Sequence, residues 1–242
     1  DFLKSKNLII RSPGFYNKNK DLNHNYFLNL DTNSLYWLGF IAADGCVRKT
    51  AKENNKIRNK NTLHINLKAE DIKHLEKFKE QVNYNNPVKL YKQKNTNGYC
   101  RIDINSQELV DSLINYGITP KKSLTLDIKD QRLLESRDFW RGVIDGNGSI
   151  FTRKNGNPAI SLVSSSLKFI TAFKNFCDKF FNQNTEINKI HKNKSDSNCY
   201  KFVLSTKKAY LLIKYLYQDS LNYLDRKYKK AMDFLDKFKE RY

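Results

Sequence analysis

The sequence predicts an α+β protein made of two copies of one unit, each running helix, strand, strand, helix, strand, strand, helix. Three observations lead there. A nine-residue apolar stretch, Trp37 to Gly45, returns as Trp140 to Gly148, with the Trp, the first Gly, the Ile and the last Gly in register. A second pair of segments, Tyr99 to Ser106 and Cys199 to Thr206, aligns in the same way. Between these landmarks, apolar and polar residues alternate in short runs bounded by Asn and Gly, the period of half-buried strands.

The elements follow in order. Leu3 to Ser12 reads either as the end of a basic helix with an extended tail or as a disordered basic arm. Residues 13–33 hold Pro13, Gly14 and little periodicity and read as a linker; its aromatic residues Phe15, Tyr16, Tyr26 and Phe27 suit a path along a polyanion. The first repeat spans 34–130 and the second 131–242. Asn33-Ser34 offers a cap for the first apolar helix and Asp138 for the second. Glycine costs about 1 kcal/mol inside a helix, so Gly39 and Gly142 imply a close approach of one helix to another. Gly45 and Gly148 read as left-handed helix stops. Two such helices side by side bring their last polar residues, Asp44 and Asn147, to one place.

In the first repeat, a strand starts at Cys46-Val47-Arg48. A polar stretch from Lys49 to Asn61 leads to a strand over Thr62 to Lys68, with Leu63, Ile65 and Leu67 on one face. Glu70-Asp71 opens a helix to about Val82. Strands over Pro87–Gln93 and Tyr99–Ile104 meet through an Asn-Gly turn, and a helix over Ser106–Tyr116 stops at Gly117. The second repeat gives strands over Ser149–Arg153 and Ala159–Val163, a helix over Ser166–Phe180, strands near Thr185–His191 and Tyr200–Leu204, and a helix over Thr206–Tyr217. A tail helix, Leu224 to Tyr242, presents Tyr228, Met232, Leu235 and Phe238 as a core stripe.

Composition narrows the partners. Of 242 residues, 44 are Lys or Arg against 25 Asp or Glu, a net charge of +19. That surplus fits a polyanion. No apolar run reaches the roughly 18 residues of a membrane span, and no signal peptide is expected. The four cysteines lack zinc-knuckle spacing and read as reduced, mostly buried thiols of an intracellular protein, in the cytoplasm, nucleoid or an organelle matrix. The four histidines are scattered.

The paired nonamers resemble the two motifs of a single-chain LAGLIDADG homing endonuclease, a monomer with internal pseudo-twofold symmetry. The resemblance implies that the motif helices pack at the centre, that two antiparallel sheets form a DNA-binding saddle, and that the last acid of each motif holds a divalent ion over a scissile phosphate. Mg²⁺ suits such an oxygen-only, part-hydrated site. Asp44 is the acid of the first motif, and the carbonyls of Ala43 and Gly146 are further candidate ligands. Similar enzymes place a basic residue near the close of each half. Lys122 lies 122 − 44 = 78 residues after Asp44, and Lys227 lies 227 − 147 = 80 after Asn147. Asn147 departs from the pattern, since a carboxamide brings an oxygen without charge. Asp145 does not replace it, because two helical residues are about 200° apart. Impaired cleavage, or nicking of one strand, is the expectation.

The double-stranded DNA partner would meet the polar sheet faces. The candidate contacts are Arg48, His64, Asn66, Lys68, Lys89, Tyr91, Gln93, Arg101 and Asp103 in the first half. In the second they are Ser149, Phe151, Arg153, Ser161, Glu186, Lys189, His191 and Lys201. The loops over 49–61 and 192–198 extend the contact to phosphates. The alternative is a non-cleaving nucleic-acid binder, such as an intron maturase of the same fold, which Asn147 favours. A plain DNA-binding regulator leaves the paired motifs and lysines unexplained. An intein lacks its splicing cysteine and His-Asn terminus here.

Overall fold

The structure, a computed structural model, describes residues 21–49, 52–53, 56–57, 61–92, 97–182, 191–192 and 199–242, with backbone only at 52–53, 56–57 and 191–192. The readings made for residues 1–20, Gln93, Glu186, Lys189 and the loop over 193–198 lie outside the described residues.

The first apolar helix, α1 (Thr32–Asp44), is capped by Asp31, two residues before the expected Asn33-Ser34. The Asp31 carboxylate accepts from Ser34 N at 2.7 Å, and Ser34 Oγ accepts from Asp31 N at 2.8 Å. That reciprocal pairing satisfies two helix-end donors at once. The matching helix, α5 (Arg137–Asn147), is capped by Ser136 rather than Asp138. Asp138 sits in the first turn and pairs instead with Arg141 at 2.6 Å.

α1 and α5 pack on each other along their glycines. A Cβ on Gly39 would strike the carbonyl oxygen of Phe139, and one on Gly142 would strike that of Tyr36 and, at 2.7 Å, Phe40 N. The obstacles are backbone, so only glycine lets the helices come this close. Gly45 and Gly148 are not left-handed: their φ,ψ values are −74°, 152° and −86°, 170°. They are glycine because a Cβ would meet Ile41 or Ile144 one turn back, at 2.5 to 2.9 Å. The extended backbone lets each helix pass straight into a strand.

Those strands start two sheets of identical plan. The first holds β1 (Gly45–Arg48), β4 (Thr62–Lys68), β6 (Tyr99–Asn105) and β5 (Lys89–Tyr91), in the order β1-β4-β6-β5. The second holds β7 (Gly148–Thr152), β8 (Pro158–Ser164), β10 (Tyr200–Ser205) and β9 (His191–Lys192), in the order β7-β8-β10-β9. Every pairing among them is antiparallel. A small ladder, β2 (Lys52–Glu53) with β3 (Lys56–Ile57), stands in the polar stretch that had read as irregular.

Helices α2 (Ile72–Gln81) and α3 (Gln107–Asn115) cover the first sheet, and α6 (Leu167–Phe180) and α7 (Thr206–Tyr217) the second. One motif tryptophan anchors each half. Trp37 packs on His74 and Phe78 of α2, and Trp140 on Phe169, Phe173 and Phe176 of α6. The short helix α4 (Gln131–Leu134), capped by Asp130, gave no periodic signal because it is one turn long. Leu22 and Phe27 are buried in this core and Tyr26 packs against it, bonding Gln81 at 2.9 Å, so these residues do not lie along a polyanion. The tail helix α8 (Asp225–Phe238) buries Lys227, Ala231, Phe234 and Phe238. This stripe is displaced from the expected one; Tyr228, Met232 and Leu235 flank it. Of the cysteines, Cys100 and Cys177 are buried, but Cys46 is exposed and Cys199 partly so. No described helix is long and apolar enough to cross a membrane.

Candidate active site and nucleic-acid face

The seam brings the polar ends of α1 and α5 together. A Cβ on Gly146 would lie 2.5 Å from Ala43 Cβ and 3.6 Å from the Asp44 carboxyl carbon, so the two backbones meet beside Asp44. Asp44 is exposed at its tip. Enough protein surrounds the carboxyl to raise its pKa to about 6, against the pull of Lys122, Lys227 and Arg226. Burial lowers both lysines, and Asp44 partly restores each.

The two lysines occupy corresponding places. Lys122 Nζ donates to the carbonyl of Gly45, where α1 ends. Lys227 Nζ donates to the carbonyl of Gly148, where α5 ends, and to Ile144 O at 3.2 Å. Their near-equal spacing from the motifs thus corresponds to one position in space, duplicated.

The carboxyl is not duplicated. Asn147 Nδ2 donates to Val163 O at 2.7 Å, which fixes the amide and leaves its oxygen as a neutral acceptor. A cavity of about 160 Å³ opens beside Asn147, lined by Ala43, Lys122, Ser123 and Ser164 among others. The donors here are one carboxylate, one amide oxygen and backbone carbonyls, an all-oxygen set that fits Mg²⁺ completed by water and phosphate. Among the described residues no group of three or more His, Cys, Asp or Glu side chains gathers.

Asp145 is fully buried. It accepts from Tyr36 Oη at 2.7 Å, Tyr217 Oη at 2.6 Å and Leu224 N at 2.8 Å. Burial raises its pKa, and these donors oppose the rise. Arg141, also buried, donates to Asn222 O and Leu216 O. The first motif has Leu38 and Ala42 at the matching positions. An Arg and an Asp four apart on an apolar helix was the available sign of this network.

The sheet faces differ in chemistry. On the first, Arg48, Asn66, Lys68, Lys89 and Tyr91 are exposed. Asp103 gathers its neighbours: Arg101 Nε donates to it, His64 Nδ1 lies 2.5 Å away and Lys89 Nζ 3.4 Å. Burial lowers the pKa of His64, against the pull of its hydrogen bond to Asp103; the same Nδ1 lies 2.7 Å from Arg101 Nη2. His64 is only 8% exposed. On the second face, Ser149 and Arg153 are exposed and Phe151 is partly covered, with Lys201 Nζ 5.7 Å from its ring centre. Ser161, on the inner strand β8, is 2% exposed. His191 is placed beside Lys201 by strand register.

Comparison with known proteins agrees with this architecture. A family model described as LAGLIDADG endonuclease matches residues 37–135, and one described as LAGLIDADG-like domain matches residues 134–218. The two matches meet between the repeats and together span most of the chain. The chain belongs to the LAGLIDADG endonuclease family and carries two copies of its domain. Its fold is similar to LAGLIDADG homing endonuclease I-GzeII in complex with DNA target (16% identity, TM-score 0.51, covering 88% of this chain and 92% of that one). It is also similar to meganuclease I-SmaMI bound to uncleaveable DNA (13%, 0.56, 86% and 88%) and to the I-LtrWI enzyme bound to target DNA (12%, 0.52, 90% and 92%). No curated protein sequence matches the chain.

Proposed function

We propose that this chain is a monomeric, site-specific DNA endonuclease that binds a long duplex across its two sheets and hydrolyses phosphodiesters at the foot of the α1–α5 seam, inside the cell. The observation that carries this is the convergence of Asp44 with two corresponding lysines, Lys122 half-buried and Lys227 buried, at the ends of two motif helices. The net charge of +19 supplies the sequence-independent attraction to phosphates.

Asp44, the Asn147 oxygen and the carbonyls of Ala43 and Gly146 would hold Mg²⁺, which when bound acidifies the attacking water and stabilises the leaving oxygen. Lys122 and Lys227 set positive charge where charge builds on the phosphate. Arg101 and Lys89 suit guanine, and Asn66 suits adenine. Arg48, Lys68, Arg153 and Lys201 suit phosphates or base edges. With one carboxylate instead of two, the half served by Asn147 cleaves slowly, and the protein nicks one strand.

The test is incubation of the protein and its Asn147→Asp and Asp44→Ala forms with Mg²⁺ and a large pool of long duplexes, followed by sequencing of the ends. Nicks at a fixed site from the native chain, paired breaks from Asn147→Asp and no ends from Asp44→Ala are expected. Tight, salt-dependent binding without ends from any form would leave a non-cleaving binder, the maturase-like reading that Asn147 favours.

A further inference from the structure

The segments that carry the two lysines are also held from the opposite half of the molecule. Lys227 opens α8 of the second half, yet the residue before it, Arg226, donates through Nε to both oxygens of Asp71 in the first half, at 3.0 and 3.2 Å. Asp71 is the residue that precedes α2, but its carboxylate makes no capping bond to that helix. It is 7% exposed, and Arg226 is the partner that satisfies it. Next to this pair, Lys77 of α2 binds Asp225 at 2.7 Å.

The other side mirrors it. Lys122 belongs to the segment that leaves the first half. Leu126 N donates to Lys122 O at 2.8 Å, which closes one turn. Ser166, which precedes α6 of the second half, donates through Oγ to Leu126 O at 2.6 Å and is 2% exposed. Beside it, Lys168 of α6 binds Asp127 at 2.9 Å. Asp71 and Ser166 thus stand at one topological position, the start of the helix that follows the second strand in each half.

We infer that Asp71 and Ser166 are positioning residues: each pins the lysine-bearing segment of the other half, so that Lys227 and Lys122 reach the carbonyls of Gly148 and Gly45. The inference rests on the reading of these two lysines as the basic groups of the site. Its consequence is that the place of each lysine depends on the other half as well as on its own.

The test does not depend on cleavage. The folded full-length chain is acetylated briefly with an amine-reactive ester, and labelling of each lysine is measured by mass spectrometry. Asp71→Ala is expected to raise Lys227 labelling about threefold or more through local opening, with Lys122 unchanged. Ser166→Ala is expected to do the reverse, and Ser166→Thr, which keeps the hydroxyl, to restore protection. Ser166 also accepts from Phe169 N, so Ser106→Ala, which removes the equivalent cap of α3, serves as the control and should move neither lysine. Equal rises at both lysines in either variant, or no rise, overturns the inference. If the labelling splits as expected but no form of the protein cuts DNA, the clamp stands and the nuclease reading falls.

Discussion

Gly142→Ala measures how tightly the two motif helices are locked. The added methyl lands on the carbonyl oxygen of Tyr36 and near Phe40 N, both backbone atoms of α1. Neither can rotate away, so the helices must part by about an ångström or more. Parting weakens dispersion contacts along the whole seam, which buries Tyr36, Phe40, Phe139, Val143 and Ile144. Overpacking of this kind costs about 1–3 kcal/mol, and more where the obstacle is rigid. Alanine returns about 1 kcal/mol through helix propensity. The expected net is a loss of about 2 kcal/mol, or about 4–8 °C in Tm for a chain of this length. Urea unfolding followed by circular dichroism measures it. Gly39→Ala, which meets Phe139 O from the other side, should cost as much, and the double variant less than the sum, because one displacement relieves both. A Gly142→Ala protein that gains about 1 kcal/mol would show that propensity alone operates and that the seam is not this close.

Three further outcomes follow from the site and its surroundings. Asp44 has its pKa raised to about 6, so its charge opposes folding above that pH; Asp44→Asn should melt higher near neutral pH by about 1 kcal/mol after allowance for its exposure, with the gain vanishing as pH falls below about 4. His74, buried among Tyr36, Trp37 and Phe40, is held neutral with a pKa near 3. The unfolded chain takes up its proton below about pH 6.5, so stability present above that pH falls by about 2 kcal/mol by about pH 5; in thermal melts at both pH values, His74→Gln should lose less between them than the native chain. On DNA, Arg101→Ala should cost about 1–3 kcal/mol at one base position, whereas Lys68→Ala should weaken all sequences evenly and reduce the salt slope by about one, as selection from a randomised duplex pool with and without added salt would show.

The sequence carried what is local or repeated. The duplicated nonamer identified α1 and α5, their glycines announced a close crossing, and the alternation of Leu63, Ile65 and Leu67 fixed the inward face of β4. Apolar period and glycine cost are properties of the chain itself, so they can be read without coordinates. The near-equal spacing of Lys122 and Lys227 was legible for the same reason, as a repeat. What the tertiary structure decided is who partners whom. Asp31 and Ser136 took the caps because hydrogen-bond geometry, not the nearest polar residue, ends a helix. Gly45 and Gly148 proved to be extended, since the limit on each is a contact with its own helix. Asp145, four residues from Arg141, sits at the centre of a network whose donors, Tyr36, Tyr217 and Leu224, lie 72 to 109 residues away. Asp71 reaches Arg226 across 155 residues. Such pairings are set by how two halves dock, and charge or period along the chain holds no record of that. The single carboxylate at the foot of the seam was visible as one letter, Asn147; its amide bond to Val163 appeared only once β8 was laid beside the end of α5.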